Sequence, residues 1–132
     1  MLDTSAMIAY LRGESGADIV QDLLVDNTEL CMAHAINLCE VYYKLVRYTD
    51  EDEVRSAIQD LLEAKGLVVR EDLDEAFWLD VGRHKAAIGS VPLADCFVVA
   101  LANRTDAEVV TADHPDFDPM EEQGLCRVKF IR

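Results

Sequence analysis

Four carboxylates stand out in the sequence because each lies in or beside an apolar segment, where an uncompensated charge is costly. They are Asp3, Glu40, Asp95 and Asp113. If the fold brings them together, they repel one another and raise one another's pKa values unless a cation lies between them. Hard divalent ions such as Mg²⁺ and Mn²⁺ prefer oxygen ligands and bridge to substrate phosphate. These residues therefore predict a metal site suited to phosphoryl chemistry.

Three of these acids occupy places where a sheet or a helix collects ligands. Asp3 and Asp113 each follow a short apolar strand candidate, and ligands of an open parallel sheet gather at the carboxyl ends of its strands. Asp95 lies in the first turn of a helix predicted to begin after Pro92. The free N–H groups of such a turn stabilise negative charge.

The fourth acid, Glu40, lies in the middle of a predicted helix between Cys39 and Val41. The neighbouring residues are mostly apolar, so we expect its carboxylate to face protein and to need a partner. A surface ion pair with Lys44, one turn later, is the simpler explanation. The sequence alone leaves both interpretations open.

Strands and helices alternate along the chain. The strand candidates are the stub Met1–Leu2 and residues 30–33, 67–69, 107–111 and 128–131. Hydrophobic periodicity predicts a helix over residues 6–12, a second that ends near Asn27, and others over residues 35–48, 50–65, 72–88 and 92–104, with residues 114–124 as a loop. This alternation predicts a parallel sheet covered on both faces.

Length and composition limit the possible architectures and partners. With 132 residues, 51% of them hydrophobic, the chain has room for one core and is expected to be a single domain over residues 1–132. We expect a cytoplasmic protein without a membrane span, because no apolar stretch is long enough. A net charge of −14 argues against broad electrostatic binding of nucleic acid. An RNA substrate would require a metal that inverts the local charge, or a high-salt cytoplasm.

Cysteines and histidines do not suggest a zinc site or a disulfide framework. The four cysteines lie far apart and are expected to be reduced, buried thiols, and the three histidines form no ligand triad. These residues are Cys31, Cys39, Cys96, Cys126, His34, His84 and His114. We expect the histidines to be structural or surface residues.

Four short motifs occur in order along nearly the whole chain. They are Leu2-Asp3-Thr4-Ser5, Asn37-Leu38-Cys39-Glu40-Val41, Pro92-Leu93-Ala94-Asp95 and Thr111-Ala112-Asp113. Together they resemble the PIN-domain ribonucleases, especially the VapC-type toxins of prokaryotic toxin–antitoxin pairs. Each motif is common when taken alone, and the specificity comes from all four at family-like spacing.

The resemblance implies a fold and a ligand set. The fold would be a three-layer α/β/α sandwich with a central, mostly parallel sheet of four to five strands. The four acids would ligate one or two Mg²⁺ or Mn²⁺ ions. Ser5 and Thr111 match hydroxyl positions that orient these acids, and Asp116 matches an auxiliary acid near the metal in some members.

The resemblance also implies a function, which is metal-dependent endoribonuclease activity in a type II toxin. A metal-activated water would hydrolyse the phosphodiester bonds of RNA and leave 5′-phosphate and 3′-hydroxyl ends. The expected partners are a cognate antitoxin and a second copy of the chain, with contacts on helix faces that bear Tyr42, Tyr43 and Trp78. A catalytically silent PIN-fold module that binds a partner is the alternative. A receiver domain is disfavoured because it needs a lysine where Asp113 stands.

Overall fold

The computed structural model describes residues 1–26, 28, 30–63 and 66–132. In chain order its elements are α1 (Thr4–Arg12), α2 (Ala17–Val25), β1 (Met32–His34), α3 (Ala35–Leu45), α4 (Glu51–Glu63), β2 (Val68–Arg70), α5 (Glu75–Ala87), α6 (Leu93–Thr105), β3 (Val109–Thr111), α7 (His114–Glu122) and β4 (Val128–Phe130). The predicted α/β class is confirmed. The helix ends predicted near Asn27 and Lys65 fall outside the described residues. Within the described ranges, no helix is long and apolar enough to cross a membrane.

The strands form two parallel pairs, β1 with β2 and β3 with β4. Residues 1–3 lie between the pairs, because Leu2 forms a parallel bridge with Val110. The Leu2 N–H donates to the Met32 carbonyl at 2.8 Å, and the Val110 N–H donates to the Met1 carbonyl at 2.7 Å. The short first strand therefore links both pairs through its backbone. A continuous central sheet of four to five strands in a three-layer sandwich stays a prediction.

Successive residues of the strands enter two different hydrophobic cores. Ala33 and Val110 pack with buried residues of α1, α2, α3 and α4. Met32 and Val109 pack instead with buried residues of α5, α6 and α7. Side chains of a strand alternate between its two faces, so helices on both sides are needed to cover them.

The segment that follows β3 is a helix, so the prediction of a loop over residues 114–124 was wrong. Proline residues suggested a loop, but Pro115 lies in the first turn, where its missing N–H has no helical acceptor. Phe117 and Met120 lie one turn apart and are 0% and 1% exposed. Burial of this apolar face in the core that contains residues of α5 and α6 stabilises the helix despite its prolines.

Other boundaries shift by a few residues. The helix predicted over residues 35–48 ends at Leu45, and the strand predicted over residues 30–33 begins at Met32. The expectation of buried thiols is wrong for Cys39, which is exposed on α3, whereas Cys96 and Cys126 are buried.

Gly16 lies at the start of α2, where its backbone packs closely against Ile131. Its φ is +87°, and a Cβ added there would lie 2.5 Å from the Ile131 carbonyl oxygen. We expect Gly16→Ala to lower the unfolding free energy by about 3 kcal/mol, since left-handed strain of about 1–2 kcal/mol is joined by a backbone clash. Urea unfolding monitored by circular dichroism measures the change.

Gly13→Ala is the matched control for this prediction. Gly13 also has a positive φ, +63°, but a Cβ there would meet nothing within 4 Å. We expect a loss of only about 1 kcal/mol from the left-handed conformation. Equal losses in the two variants would contradict a close approach of Ile131 to Gly16.

Candidate active site

Asp3 is placed by the junction between the first strand and α1. Its side chain caps α1 by accepting the Ala6 N–H at 2.8 Å. The Ser5 hydroxyl donates to Asp3 Oδ1 at 3.0 Å, and the Thr111 hydroxyl donates to Asp3 Oδ2 at 2.9 Å. Burial raises the pKa of Asp3 to about 6, although these hydrogen bonds lower it. The carboxylate is therefore held rigidly in a buried position.

Ser5 and Thr111 connect Asp3 to the residues that follow β3. Their hydroxyl oxygens lie 3.1 Å apart. Ser5 Oγ accepts the Ala112 N–H at 2.7 Å, and Thr111 Oγ1 accepts the Asp113 N–H at 2.9 Å. This set of hydrogen bonds brings Asp3 and Asp113, from opposite ends of the sequence, to the same edge of the strands.

Glu40 is buried, and it also forms the ion pair with Lys44. Its carboxylate therefore faces protein, as one interpretation of the sequence expected, and has the partner that the other proposed. The Thr4 hydroxyl donates to Glu40 Oε2 at 2.9 Å, while Tyr43 Oη and Lys44 Nζ lie 2.9 Å and 3.1 Å from Oε1. Burial by itself raises the pKa of Glu40, but the hydrogen bonds from Lys44, Thr4 and Tyr43 outweigh it. The pKa consequently lies below its ordinary value, and Glu40 is ionised.

Asp95 lies in the first turn of α6 and is 6% exposed. Burial is the main cause that raises its pKa to about 8, and the negative charges of other acids add to the shift. Those acids are Asp3, Asp116, Glu40 and Asp113. The other three predicted site acids and the predicted auxiliary acid therefore lie within electrostatic reach of Asp95.

Asp113 and Asp116 begin α7. Asp113 is the N-cap residue, and its side chain accepts the Asp116 N–H at 3.3 Å. Burial raises the pKa of Asp116, the charges of Asp113 and Glu40 raise it further, and the Lys44 ammonium opposes them. Lys44 thus acts on several carboxylates of the site, although it touches only Glu40 among them.

The donor chemistry fits a hard divalent cation, whereas a complete coordination shell is not preformed. Within the described ranges, no three His, Cys, Asp or Glu side chains stand in metal-binding geometry. The available donors are carboxylate oxygens and Asn37 Oδ1, a buried atom that accepts no hydrogen bond from any described residue. A cation would relieve the repulsion that adds to the effect of burial on the pKa of Asp95. Ligation by the four acids stays a prediction.

Asn37 and Thr4 are positioning residues that the sequence reasoning missed. Asn37 is fully buried, and its Nδ2 lies 3.3 Å from both Thr4 Oγ1 and the Ala94 carbonyl oxygen. It therefore ties α1, α3 and the start of α6 together. The available signal was its position three residues before Glu40, which places both side chains on one face of α3.

The histidines have contacts outside this group of acids. His34 is buried and stacks on Phe77 with ring centroids 5.5 Å apart. The two ring nitrogens of His114 lie 2.9 Å from Asp118 Oδ1 and 3.0 Å from the Arg132 carbonyl oxygen. These contacts agree with the structural roles expected from the sequence.

Comparisons with known proteins identify relatives along nearly the whole chain. The model of the PIN domain family matches residues 1–120. The VapC ribonuclease Mb2780c of Mycobacterium bovis is 28% identical over 134 aligned residues, which cover 96% of this chain and 98% of that protein. The ribonuclease VapC42 of Mycobacterium tuberculosis has the same identity and coverage.

The raised pKa of Asp95 should make the stability of the metal-free protein depend on pH. Between its ordinary pKa near 4 and about 8, the folded chain holds a proton that the unfolded chain has released. Unfolding free energy is therefore lost as the pH rises through this window. We expect Asp95→Asn to be more stable than the parent at pH 8 by at least about 1 kcal/mol, since one pKa unit corresponds to about 1.4 kcal/mol.

Chemical unfolding in EDTA at pH 4.5, 6.5 and 8.0 tests this prediction. The advantage of Asp95→Asn should grow with pH, and the exposed Asp60 provides the control Asp60→Asn, which should show no such trend. A variant that is less stable than the parent at pH 8 would contradict the repulsive environment of Asp95.

Proposed function

The chain belongs to the PIN domain family, and from this premise we propose that it is a metal-dependent endoribonuclease, the toxin of a type II toxin–antitoxin pair. The observation that carries the proposal is the gathering of acids around the buried Asp95 carboxyl, whose pKa is raised first by burial and further by the charges of Asp3, Glu40, Asp113 and Asp116. Relatives named as VapC ribonucleases, aligned over nearly their full length, support RNA as the substrate. We propose one nuclease domain over residues 1–132.

The acids would hold one or two Mg²⁺ or Mn²⁺ ions. Asp3, Glu40, Asp95 and Asp113 are the proposed ligands, because their oxygens suit hard cations and their mutual repulsion favours a positive charge. A metal held by these acids would lower the pKa of a water molecule and offset the charge of the scissile phosphate. Asp116 is proposed to add negative charge beside the same site.

The side chains of this chain would orient the acids and handle protons. Ser5 and Thr111 keep both oxygens of Asp3 fixed through hydrogen bonds. Thr4 holds one oxygen of Glu40 while Lys44 lies against the other. Asp95, with a pKa near 8 in the metal-free state, would release its proton when a cation binds. Lys44 would then be available to face the incoming phosphate.

Hydrolysis would leave a 5′-phosphate and a 3′-hydroxyl. The oxygen of water forms the new bond to phosphorus as the bond from phosphorus to the 3′-oxygen breaks, and the 3′-oxygen takes up a proton. The 2′-hydroxyl takes no part, so we attribute the preference for RNA to the recognition of unpaired loops. Structured RNAs such as tRNA, rRNA or mRNA, cut in accessible loops, are the proposed substrates.

A cognate antitoxin and a second copy of the chain are the proposed partners in the cytoplasm. Tyr43 and Trp78 are 42% and 48% exposed, which suits contact surfaces. Tyr42 donates to Glu51 and lines a pocket of about 580 Å³ between α3 and α4. The pocket also contains Leu38, Ile58 and Leu62, an apolar lining suited to a peptide segment of a protein partner.

Cleavage of RNA tests the proposed function. We expect the purified protein to cut total RNA with Mn²⁺ or Mg²⁺ and not with EDTA, and Asp3→Asn and Asp95→Asn to lose at least about 100-fold of the rate, since each removes a charged metal ligand. Asp60→Asn should retain activity. The assay should vary salt, because the net charge of −14 repels RNA at low ionic strength. Folded protein that never cuts would favour a silent partner-binding module.

Metal binding can be measured separately by thermal unfolding. We expect millimolar Mn²⁺ to raise the midpoint above that in EDTA, because a ligand bound only to the folded state stabilises it by about 3 kcal/mol at one hundred times its dissociation constant. The increase should be smaller in Asp95→Asn and unchanged in Asp60→Asn. Identical midpoints with and without metal would contradict the proposed ligand set.

A further inference from the structure

A second pocket lies beside the acids, where α1 and α3 end. It has a volume of about 250 Å³ and is lined by Ile8, Arg12, Lys44, Leu45, Arg47 and Tyr48, which we call the Arg–Tyr pocket. Three of the six residues are cationic and none is acidic. This is unusual in a chain that has 26 acidic and 12 basic residues. The pocket is therefore a local positive surface on a negative protein.

The two arginines of the Arg–Tyr pocket remain available to a ligand. Arg47 is exposed and takes part in none of the ion pairs found among the described residues. Among the described residues, the ion-pair partner of Arg12 is the distant Glu14, at 3.8 Å, and the Arg12 side chain is 42% exposed. Such guanidinium groups can bind phosphate through paired N–H donors.

Aromatic rings stand beside these guanidinium groups. Tyr48 is 79% exposed, and the Arg12 guanidinium carbon lies 5.8 Å from its ring centroid. The Arg47 guanidinium carbon lies 5.5 Å from the ring centroid of Tyr43, which is 42% exposed. Exposed aromatic rings next to cations are the elements that bind unpaired bases and their phosphates in single-strand binding proteins.

The Arg–Tyr pocket is linked to the candidate active site through Lys44. Lys44 lines the pocket, and its Nζ lies 3.1 Å from Glu40 Oε1. Thr4, which donates to Glu40, begins the helix on which Arg12 lies eight residues later. That separation corresponds to about 12 Å along the helix axis. A strand with its scissile phosphate at the acids can reach the pocket with a neighbouring nucleotide.

We propose that the Arg–Tyr pocket binds an unpaired nucleotide that flanks the scissile phosphate of a single-stranded RNA, with its base against Tyr48 and its phosphate against Arg12 and Arg47. The inference rests on the proposed ribonuclease function and extends it by naming where the substrate strand lies. The pocket supplies local attraction for a polyanion on a chain with a net charge of −14. It also requires the bound base to be unpaired.

Binding of a fluorescein-labelled, single-stranded RNA dodecamer, followed by fluorescence anisotropy, tests this inference. The background is Asp95→Asn in Mg²⁺, so that cleavage is suppressed. We expect Arg47→Ala to weaken binding about fivefold and to reduce the slope of log Kd against log salt by about 0.7, since one phosphate contact is lost. Tyr48→Ala should weaken binding about tenfold at an unchanged slope, because stacking is not ionic.

Matched variants separate these effects from general changes. Arg83 and Leu79 are exposed residues of α5 outside the pocket, so Arg83→Ala and Leu79→Ala should bind like the background. Arg47→Lys and Tyr48→Phe, which keep the charge and the ring, should bind nearly as well as the background. A blunt duplex of the same sequence should show no dependence on Tyr48, since its bases are already stacked.

The outcomes separate failure of the inference about the pocket from failure of the proposed ribonuclease function. Loss of binding in Arg47→Ala and Tyr48→Ala, but not in the α5 variants, supports the pocket even if the Asp95-containing protein cuts no RNA. Metal-dependent cutting by that protein, with RNA binding within twofold of the background in both pocket variants, overturns the inference and leaves the ribonuclease intact. If the pocket variants bind RNA like the background but no longer co-purify with a protein partner, the inference is also overturned. The pocket is then assigned to a protein interface.

Discussion

Repulsion between carboxylates at one edge of the strands is the constraint on which the rest of the site depends. Asp95 and Asp3 are both buried, and burial raises both pKa values. Asp95 experiences the charges of four other acids in addition. A fold that gathers such groups gives up stability unless hydrogen bonds, a cation or bound protons compensate. The architecture around the acids can be understood as that compensation.

The compensation differs from acid to acid. Asp3 receives a backbone N–H and two hydroxyls, while Glu40 receives a hydroxyl on one oxygen and Tyr43 with Lys44 on the other. Asp95 is governed by burial and by its neighbours' charges. The site therefore combines ionised, anchored carboxylates with one that holds its proton near neutral pH. This combination suits a centre that exchanges a proton for a cation when it is loaded.

The acidic surface and the proposed RNA substrate place opposite demands on the protein. A net charge of −14 slows the approach of a polyanion, so attraction must be local. The metal would supply part of it at the acids, and the cations around Tyr48 would supply part beside them. Several other basic residues are neutralised by acids within the protein. Arg104, for example, lies 2.9 Å from Asp72 and also pairs with Asp74, and these contacts fasten the end of α6 to the segment before α5.

The α/β alternation, most element positions and the four acids could be read from the sequence, because hydrophobic periodicity and acids at strand and helix ends are local properties. The helix α7 could not, since Pro119 in its interior opposes it locally and the burial of Phe117 and Met120 decides the outcome. The pairing of strands through Leu2 also required distant backbone partners.

The same division applies to the site. The sequence by itself determined which acids are candidates for the chemistry and which family pattern they follow. Only the tertiary structure decided that Glu40 is both buried and paired, that Asn37 ties three helices together, and that Arg12, Arg47 and Tyr48 surround one pocket. The physical reason is that burial, charge coupling and pocket shape depend on groups far apart along the chain, and local propensity does not encode those distances.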